Sequence, residues 1–308
     1  MSKTGLYMKF HSHLQLLQTN GMANGLTGDY VCPLCFASYT QQVVSTNAIS
    51  EEHAPQHALG GHKIALTCKK CNNGAGSEID CHFDTLIKKI EFKEQVDGAT
   101  QIGRFTDASG RLVQSRLEYQ NGECQLKIHE KQNDPNIKLG NLFSPGDTCA
   151  FNGVPVKYNP NCATAAALKN AYIILFARIG YTILADSAYD KLRNFINDPY
   201  SYFLPRPLFR IGDYLPVADG IYLFQKNNVK GFMVVYSVTK HNTYRVAAFI
   251  PAICTSFTQL ASFVRVVTNG GSVNLRRLED TEDFLTDENK IRALSRWARV
   301  RTVTVQEI

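Results

Sequence analysis

Four cysteines of this chain form two close pairs, Cys32-Pro-Leu-Cys35 and Cys68-Lys-Lys-Cys71. Two thiolates placed this way on a tight turn point in the same direction and can bind one ion. Two such turns complete the tetrahedral set of four thiolates that zinc prefers. A thioredoxin-like redox motif needs a single pair in a βαβ context, which this sequence does not offer. The predicted zinc site has no open position, so its expected role is structural.

The segment between the two pairs carries groups that could hydrolyse a phosphodiester. Glu52 and His53 place an acid beside an imidazole, Gly60 and Gly61 form a turn, and Asn72 adjoins a predicted zinc ligand. Such hydrolysis needs a base for the attacking water and a cation that offsets charge on the phosphate. An imidazole, with an ordinary pKa of about 6.5, can be that base. Carboxylate and amide oxygens suit a hard cation such as Mg²⁺.

These residues resemble a known family. The run Glu-His-x-Pro, then Gly-Gly, then Leu-Thr-Cys-x-x-Cys-Asn-Asn, within residues 32–84, is similar to the HNH endonucleases of ββα-metal architecture that carry two cysteine pairs. The resemblance implies that His53 is the general base and that Glu52 and Asn72 bind a catalytic Mg²⁺ or Mn²⁺. It also implies that the four paired cysteines bind the structural Zn²⁺.

The middle position of the family motif departs from the usual pattern. It falls nine residues before Asn72, at Lys63, and the adjacent His62 is the residue that we assign to it. Its implied role is to support catalysis by positioning the loop and the base. His57, in the same loop, could touch phosphate, although a solvated loop histidine is the simpler interpretation.

Other residues near the motif could take part. Glu51 could replace Glu52 as the acid, and Asn73 could exchange roles with Asn72. Asp80 follows the motif and could contribute to the site, but a satisfied helix carboxylate explains it equally well.

The resemblance implies a metal-dependent endonuclease that hydrolyses phosphodiester bonds. DNA is the expected partner, and defence of a bacterium against foreign DNA is the implied context. One alternative is a zinc-knuckle module that binds nucleic acid without cutting it. Another is an RNA-cutting enzyme of the same chemistry, whose groove would need contacts to 2′-hydroxyl groups. A partner protein or a homodimer would be a source of specificity.

Patterning along the chain predicts the elements that hold these groups. Residues 29–90 have too few apolar residues for an ordinary core, which predicts a segment stapled by a metal ion. The resemblance implies that this segment is a small HNH module of ββα-metal fold whose staple is zinc. Residues 1–28 predict an N-terminal arm or helix, with His11 and His13 at the surface. Residues 91–308 predict a larger α+β domain that serves target recognition, regulation or oligomerisation. The predicted fold class is therefore α+β.

Within the larger domain, antiparallel strands and a central helix pair are expected. Alternation over 102–130 predicts a β-meander, and apolar positions over 161–178 and 187–197 predict the two helices. Further strands and a last helix are predicted at 221–225, 232–238, 244–250 and 287–299.

Composition limits the possible classes. With 308 residues and 44% hydrophobic content, the chain can bury a substantial core. Its net charge of +6 is compatible with a polyanionic partner. The apolar stretch 163–180 is interrupted by Lys169, Asn170 and Arg178, which favours a buried helix over a membrane span. The N-terminus lacks the pattern of a secretory signal, so a cytoplasmic protein without a membrane partner is expected.

Overall fold

The computed structural model describes residues 1–106, 110, 112–128, 133, 151–212 and 217–300. Helices and four antiparallel sheets are present, so the predicted α+β class is confirmed. The chain forms two compact units. The first comprises Met1–Phe83, Asn159–Thr239 and Thr243–Ile308, and the second comprises Asp84–Tyr158 and Lys240–Asn242.

The first unit begins with helix α1 (Lys3–Thr19), whose N-terminus is capped by the hydroxyl of Ser2. One face of α1 is buried in the core through Leu6, Phe10, Leu14 and Leu17. The predicted arm or helix is therefore a core helix. His13 lies on the same face and is only 1% exposed, so the expectation that it lies at the surface is wrong.

Two short hairpins carry the cysteine pairs. Strand β1 (Tyr30–Val31) pairs with β2 (Ser38–Tyr39), and β3 (Ile49–Ala54) pairs with β4 (His62–Cys68). Helix α2 (Lys69–Ala75), a π-helical segment (Gly76–Asp80) and helix α3 (Cys81–Lys93) follow. The order β3–β4–α2 is the strand–strand–helix arrangement that the sequence predicts.

The predicted central helix pair is present as α4 (Pro160–Ile179) and α5 (Asp190–Asn197). Asn159 caps α4 with its side chain, and Pro160 occupies a position where no amide hydrogen is needed. Among the described residues, α4 is long and apolar enough to cross a membrane, but 83% of its most apolar window is buried within the protein. That burial is typical of a core helix and agrees with the predicted buried helix.

The remaining part of the first unit is a five-stranded antiparallel sheet with two helices. The bounds are β9 Phe209–Gly212, β10 Gly220–Lys226, β11 Val229–Thr239, β12 Thr243–Pro251, α6 Phe257–Thr268, β13 Leu275–Arg277 and α7 Glu288–Arg299, with the sheet order β13-β10-β11-β12-β9. The predicted strands of this region are confirmed as β10, β11 and β12, and the predicted last helix is α7. The sequence reasoning missed β9, β13 and α6.

The second unit contains a four-stranded antiparallel sheet around a small core. Its buried centre is Phe105 and Val113, against which Leu126 and Ile128 pack. The predicted meander corresponds to its first three strands, although 107–109, 111, 129 and 130 lie outside the described residues. The strands are β5 Thr100–Thr106, β6 Leu112–Gln120, β7 Glu123–Ile128 and β8 Phe151–Gly153, in the order β7-β6-β5-β8.

The division of the chain differs from the predicted boundaries at residues 28 and 90. Residues 1–83 share one compact unit with α4, α5 and the five-stranded sheet. The physical reason is that the cysteine-bearing segment has little core of its own and packs against the apolar surface of α4. The predicted module is therefore continuous with the larger part of the protein.

Candidate metal centre and histidine cavity

The four predicted zinc ligands come together. The Sγ atoms of Cys32, Cys35, Cys68 and Cys71 all lie within 4.8 Å of one another. Zn–S bonds of about 2.3 Å in a tetrahedron place sulfur atoms roughly 3.8 Å apart, and the Sγ atoms of Cys35 and Cys68 are 3.6 Å apart. The cluster can therefore hold a metal ion such as zinc.

Backbone amides and neighbouring thiols favour the thiolate form at two of the four sulfurs. The amide of Cys68 donates to Sγ of Cys32, and the amide of Cys71 donates to Sγ of Cys68, each at 3.3 Å. Hydrogen bonding to Cys32 lowers the pKa of Cys35 to about 2 and the pKa of Cys68 to about 6. The thiolate form, which is the metal-binding form, is thus favoured at these two positions.

The first cysteine turn is held by residues from α4 to α5. Arg193 stacks over the ring of Phe36, 4.0 Å from its centroid. Three side chains bind the backbone carbonyls of the turn and its preceding strand: Tyr172 donates to Pro33 at 3.0 Å, Tyr181 to Val31 at 2.7 Å and Asn197 to Leu34 at 2.9 Å. The geometry of the metal centre therefore depends on distant parts of the sequence.

His53 opens into a surface cavity of about 620 Å³, where the structure also places His62. The cavity is lined by Met1, His53, His57, Gly60, Gly61, His62 and Lys63. The His53 and His57 rings meet edge to face with their centroids 5.3 Å apart. His53 pairs with Lys63 across the β3–β4 hairpin, just after a register shift at Glu52. Because neighbouring residues of a strand point to opposite faces, His53 faces the cavity while Glu52 points into the core.

The turn beside the cavity explains its two glycines. Gly60 has a φ of +82°, a conformation that favours glycine. A Cβ atom on Gly61 would lie 1.4 Å from the carbonyl oxygen of Pro55. A residue larger than glycine at position 61 would therefore clash with the backbone of Pro55.

Electrostatics favour a neutral imidazole at His53. Burial lowers the pKa of His53, and the positive charges of His57 and Lys63 lower it further. Glu52 and Glu51 act in the opposite direction but are outweighed. A neutral imidazole at pH 7 is the form that can accept a proton from water.

The carboxylate of Glu52 does not face this cavity. Glu52 is 2% exposed. One of its oxygens accepts from the ammonium of Lys169 at 3.0 Å, and the other accepts from the hydroxyl of Thr67 at 2.8 Å. Lys169 also binds Asp80, at 2.8 Å. A catalytic cation at Glu52, as the sequence predicts, would have to displace Lys169, so the surroundings of Glu52 do not fit the predicted ligand role.

Asn72 lies inside α2 and is held against β3. Its Nδ2 donates to Oγ of Ser50 at 2.8 Å and to the backbone carbonyl of Glu51 at 3.1 Å. The carboxylate of Glu51 forms an ion pair of 2.7 Å with the exposed Lys63. Among the described residues, Glu52 and Asn72 do not line the His53 cavity. Asn72 therefore binds the backbone of Glu51, whereas the carboxylate of Glu52 binds Lys169 and Thr67 instead.

No match was found. Comparison of the chain with protein-family models, with curated proteins and with solved structures gave no similar family, relative or fold. The resemblance to HNH endonucleases therefore rests on the sequence motif of residues 32–84.

Lys169 is the functional candidate that sequence reasoning missed. It is 1% exposed within the apolar helix α4. The signal was present, because a lysine in an otherwise apolar buried helix requires carboxylate partners. The sequence pattern indicates Asp80 as a candidate, but it does not indicate that Asp80 pairs with Lys169.

Proposed function

We propose that this protein is a metal-dependent endonuclease of HNH type that hydrolyses phosphodiester bonds in DNA. His53 is the general base that takes a proton from the attacking water. The observation that supports this role best is its placement, with a lowered pKa, in an open cavity. Defence against foreign DNA in the bacterial cytoplasm, alone or as a homodimer, is the corresponding biological proposal.

The cavity is lined by side chains that can bind a phosphodiester. Lys63 and the imidazoles of His57 and His62 line it beside His53. Cationic and hydrogen-bond-donating side chains provide most of the affinity of a protein for a nucleic-acid backbone. We therefore assign phosphate binding to this surface, with His62 in the supporting role.

Two metal sites belong to the proposal. Zn²⁺ at the four cysteines holds the two turns in register. Asn72, together with the carboxylate of Glu51, is the proposed site for Mg²⁺ or Mn²⁺, which would offset charge on the phosphate and on the leaving oxygen. Glu51 takes the role that the sequence gave to Glu52, because its carboxylate is accessible and its partner Lys63 is itself exposed.

A plasmid-nicking assay tests the nuclease proposal. Supercoiled DNA is incubated with the purified chain and Mg²⁺ or Mn²⁺, and the wild type is compared with His53→Ala and with the matched loop variant His57→Ala. We expect nicking that chelator abolishes, that His53→Ala lowers by about 10²–10⁴-fold, and that His57→Ala changes much less. Equal nicking by wild type and His53→Ala contradicts the assignment. Parallel digestion of single-stranded DNA and of RNA identifies the substrate.

The pairing of Glu52 with Lys169 favours a second candidate, a zinc-knuckle module that binds nucleic acid without cutting it. In that case the basic cavity would bind the backbone and no catalytic cation would be needed. A gel-shift titration with duplex DNA distinguishes the two functions. Binding without nicking in either metal supports the second candidate.

A further inference from the structure

The interior of the first unit contains a cluster of charges that the proposed function does not use. The ammonium of Lys169 lies 3.0 Å from Oε1 of Glu52 and 2.8 Å from Oδ2 of Asp80. Burial lowers the pKa of Lys169, but the two carboxylates outweigh this effect and raise it. The charged ammonium form of Lys169 is therefore favoured at this position.

The hydrogen-bond network that includes Asp80 also contains buried acceptor oxygens without donors. Among the described residues, the buried atoms Oδ1 of Asp80 and Oδ1 of Asn170 have no hydrogen-bond partner. Both residues belong to one network, because Asn170 donates to Gln56 at 3.2 Å and Gln56 donates to the backbone carbonyl of Asp80 at 3.0 Å. Carboxylate and amide oxygens are the ligands that a hard cation prefers, and these two oxygens have no competing donor.

We propose that Glu52 and Asp80 form a cation site whose permanent occupant is the ammonium of Lys169, and that this ammonium excludes divalent metal ions from Glu52. The exclusion of Glu52 from the ligands of the catalytic metal rests on the proposed function. The binding of the Lys169 ammonium by Glu52 and Asp80 rests on the geometry alone.

The reason for exclusion is that the ammonium is attached to the protein. Lys169 projects from α4, which is buried along most of its length, so the ammonium is always present at the site. A divalent ion would have to lose its water shell, which Mg²⁺ does reluctantly. It would also have to displace the ammonium of Lys169 into the apolar surroundings of α4.

Binding of Mn²⁺ alone, followed by the electron paramagnetic resonance signal of free Mn²⁺, tests the proposal on the zinc-loaded chain. Glu52→Gln is compared with wild type and with the neighbouring Glu51→Gln. We expect Glu52→Gln to leave the Kd for Mn²⁺ within about twofold of the wild-type value. A tenfold or greater weakening in Glu52→Gln, with zinc content unchanged, overturns the proposal because Glu52 would then be a metal ligand.

Removal of the ammonium provides the complementary test. Lys169→Ala is expected to gain a Mn²⁺ site that the wild type lacks, and the double variant K169A/D80N is expected to lose it. A folded Lys169→Ala chain without an additional Mn²⁺ ion overturns the cation site. If Lys169→Ala does not fold, the Glu52→Gln comparison decides alone. Plasmid nicking is measured separately, so a chain that shows this Mn²⁺ behaviour but no nicking retains the cation site and loses the nuclease proposal.

Discussion

The hydroxyl of Tyr172 donates a 3.0 Å hydrogen bond to the carbonyl oxygen of Pro33, and this contact joins the middle of α4 to the first cysteine turn. Both groups are buried. If the hydroxyl were removed, the carbonyl oxygen would stay buried but would lack this hydrogen-bond donor. The metal centre is thus supported by the core helix of the protein and not only by its own hairpins.

Tyr172→Phe is expected to destabilise the protein and to loosen the metal centre. Loss of a buried hydrogen bond costs about 1–3 kcal/mol when the acceptor stays buried. The matched control is Tyr236→Phe, because the Tyr236 hydroxyl donates at 3.0 Å to a different carbonyl, that of Ala167. Urea unfolding should show a similar loss for both variants. Only Tyr172→Phe should speed zinc release to a chromogenic chelator, and equal release rates would contradict this role.

Loss of one cluster thiol is expected to remove the ion and much of the fold. Cys71→Ser should reduce zinc content, measured by mass spectrometry, from one ion per chain to nearly none. Structural zinc contributes on the order of 10 kcal/mol in small modules, so the variant should unfold at a much lower temperature. Cys124→Ser is the control, because Cys124 is exposed and lies in the second unit. Retention of zinc by Cys71→Ser would show that the cluster does not bind it through all four thiols.

Substitutions of the buried charges Lys169, Glu52 and Asp80 are expected to have non-additive effects on the free energy of unfolding. Lys169→Met leaves the carboxylates of Glu52 and Asp80 without their cation, and breaking a buried ion pair costs about 3–5 kcal/mol. The triple variant K169M/E52Q/D80N has no buried charge and is expected to recover most of that loss. The free energy of unfolding in urea measures both. A triple variant that is less stable than Lys169→Met would mean that the charges act independently.

Local sequence pattern predicted the parts of the fold that depend on neighbouring residues. The cysteine spacing predicted the metal cluster, and alternation predicted β10, β11 and β12. Helix α6 could also have been predicted, because Ser256 and Gln259 form a capping box ahead of its apolar positions.

Long-range packing could not be predicted in the same way. Lys169 and Glu52 are 117 positions apart, and nothing in either local pattern indicates that they pair. The same limit affected Glu52 as a metal ligand, because its burial against Lys169 of α4 depends on contacts between distant parts of the chain. The roles of His53 and Asn72 remain predictions that the nicking assay tests.

The burial of His13 predicts a loss of stability in mild acid. Burial lowers the pKa of His13 from 6.5 to about 4, while the unfolded chain keeps the ordinary value. The unfolded state therefore binds more protons between these values, so this stability is present above pH 6.5 and is lost as pH falls towards 4. Between pH 7 and 5 the wild type should lose about 2 kcal/mol more than His13→Gln in urea unfolding. Parallel curves for the two proteins would show that folding does not lower the pKa of His13.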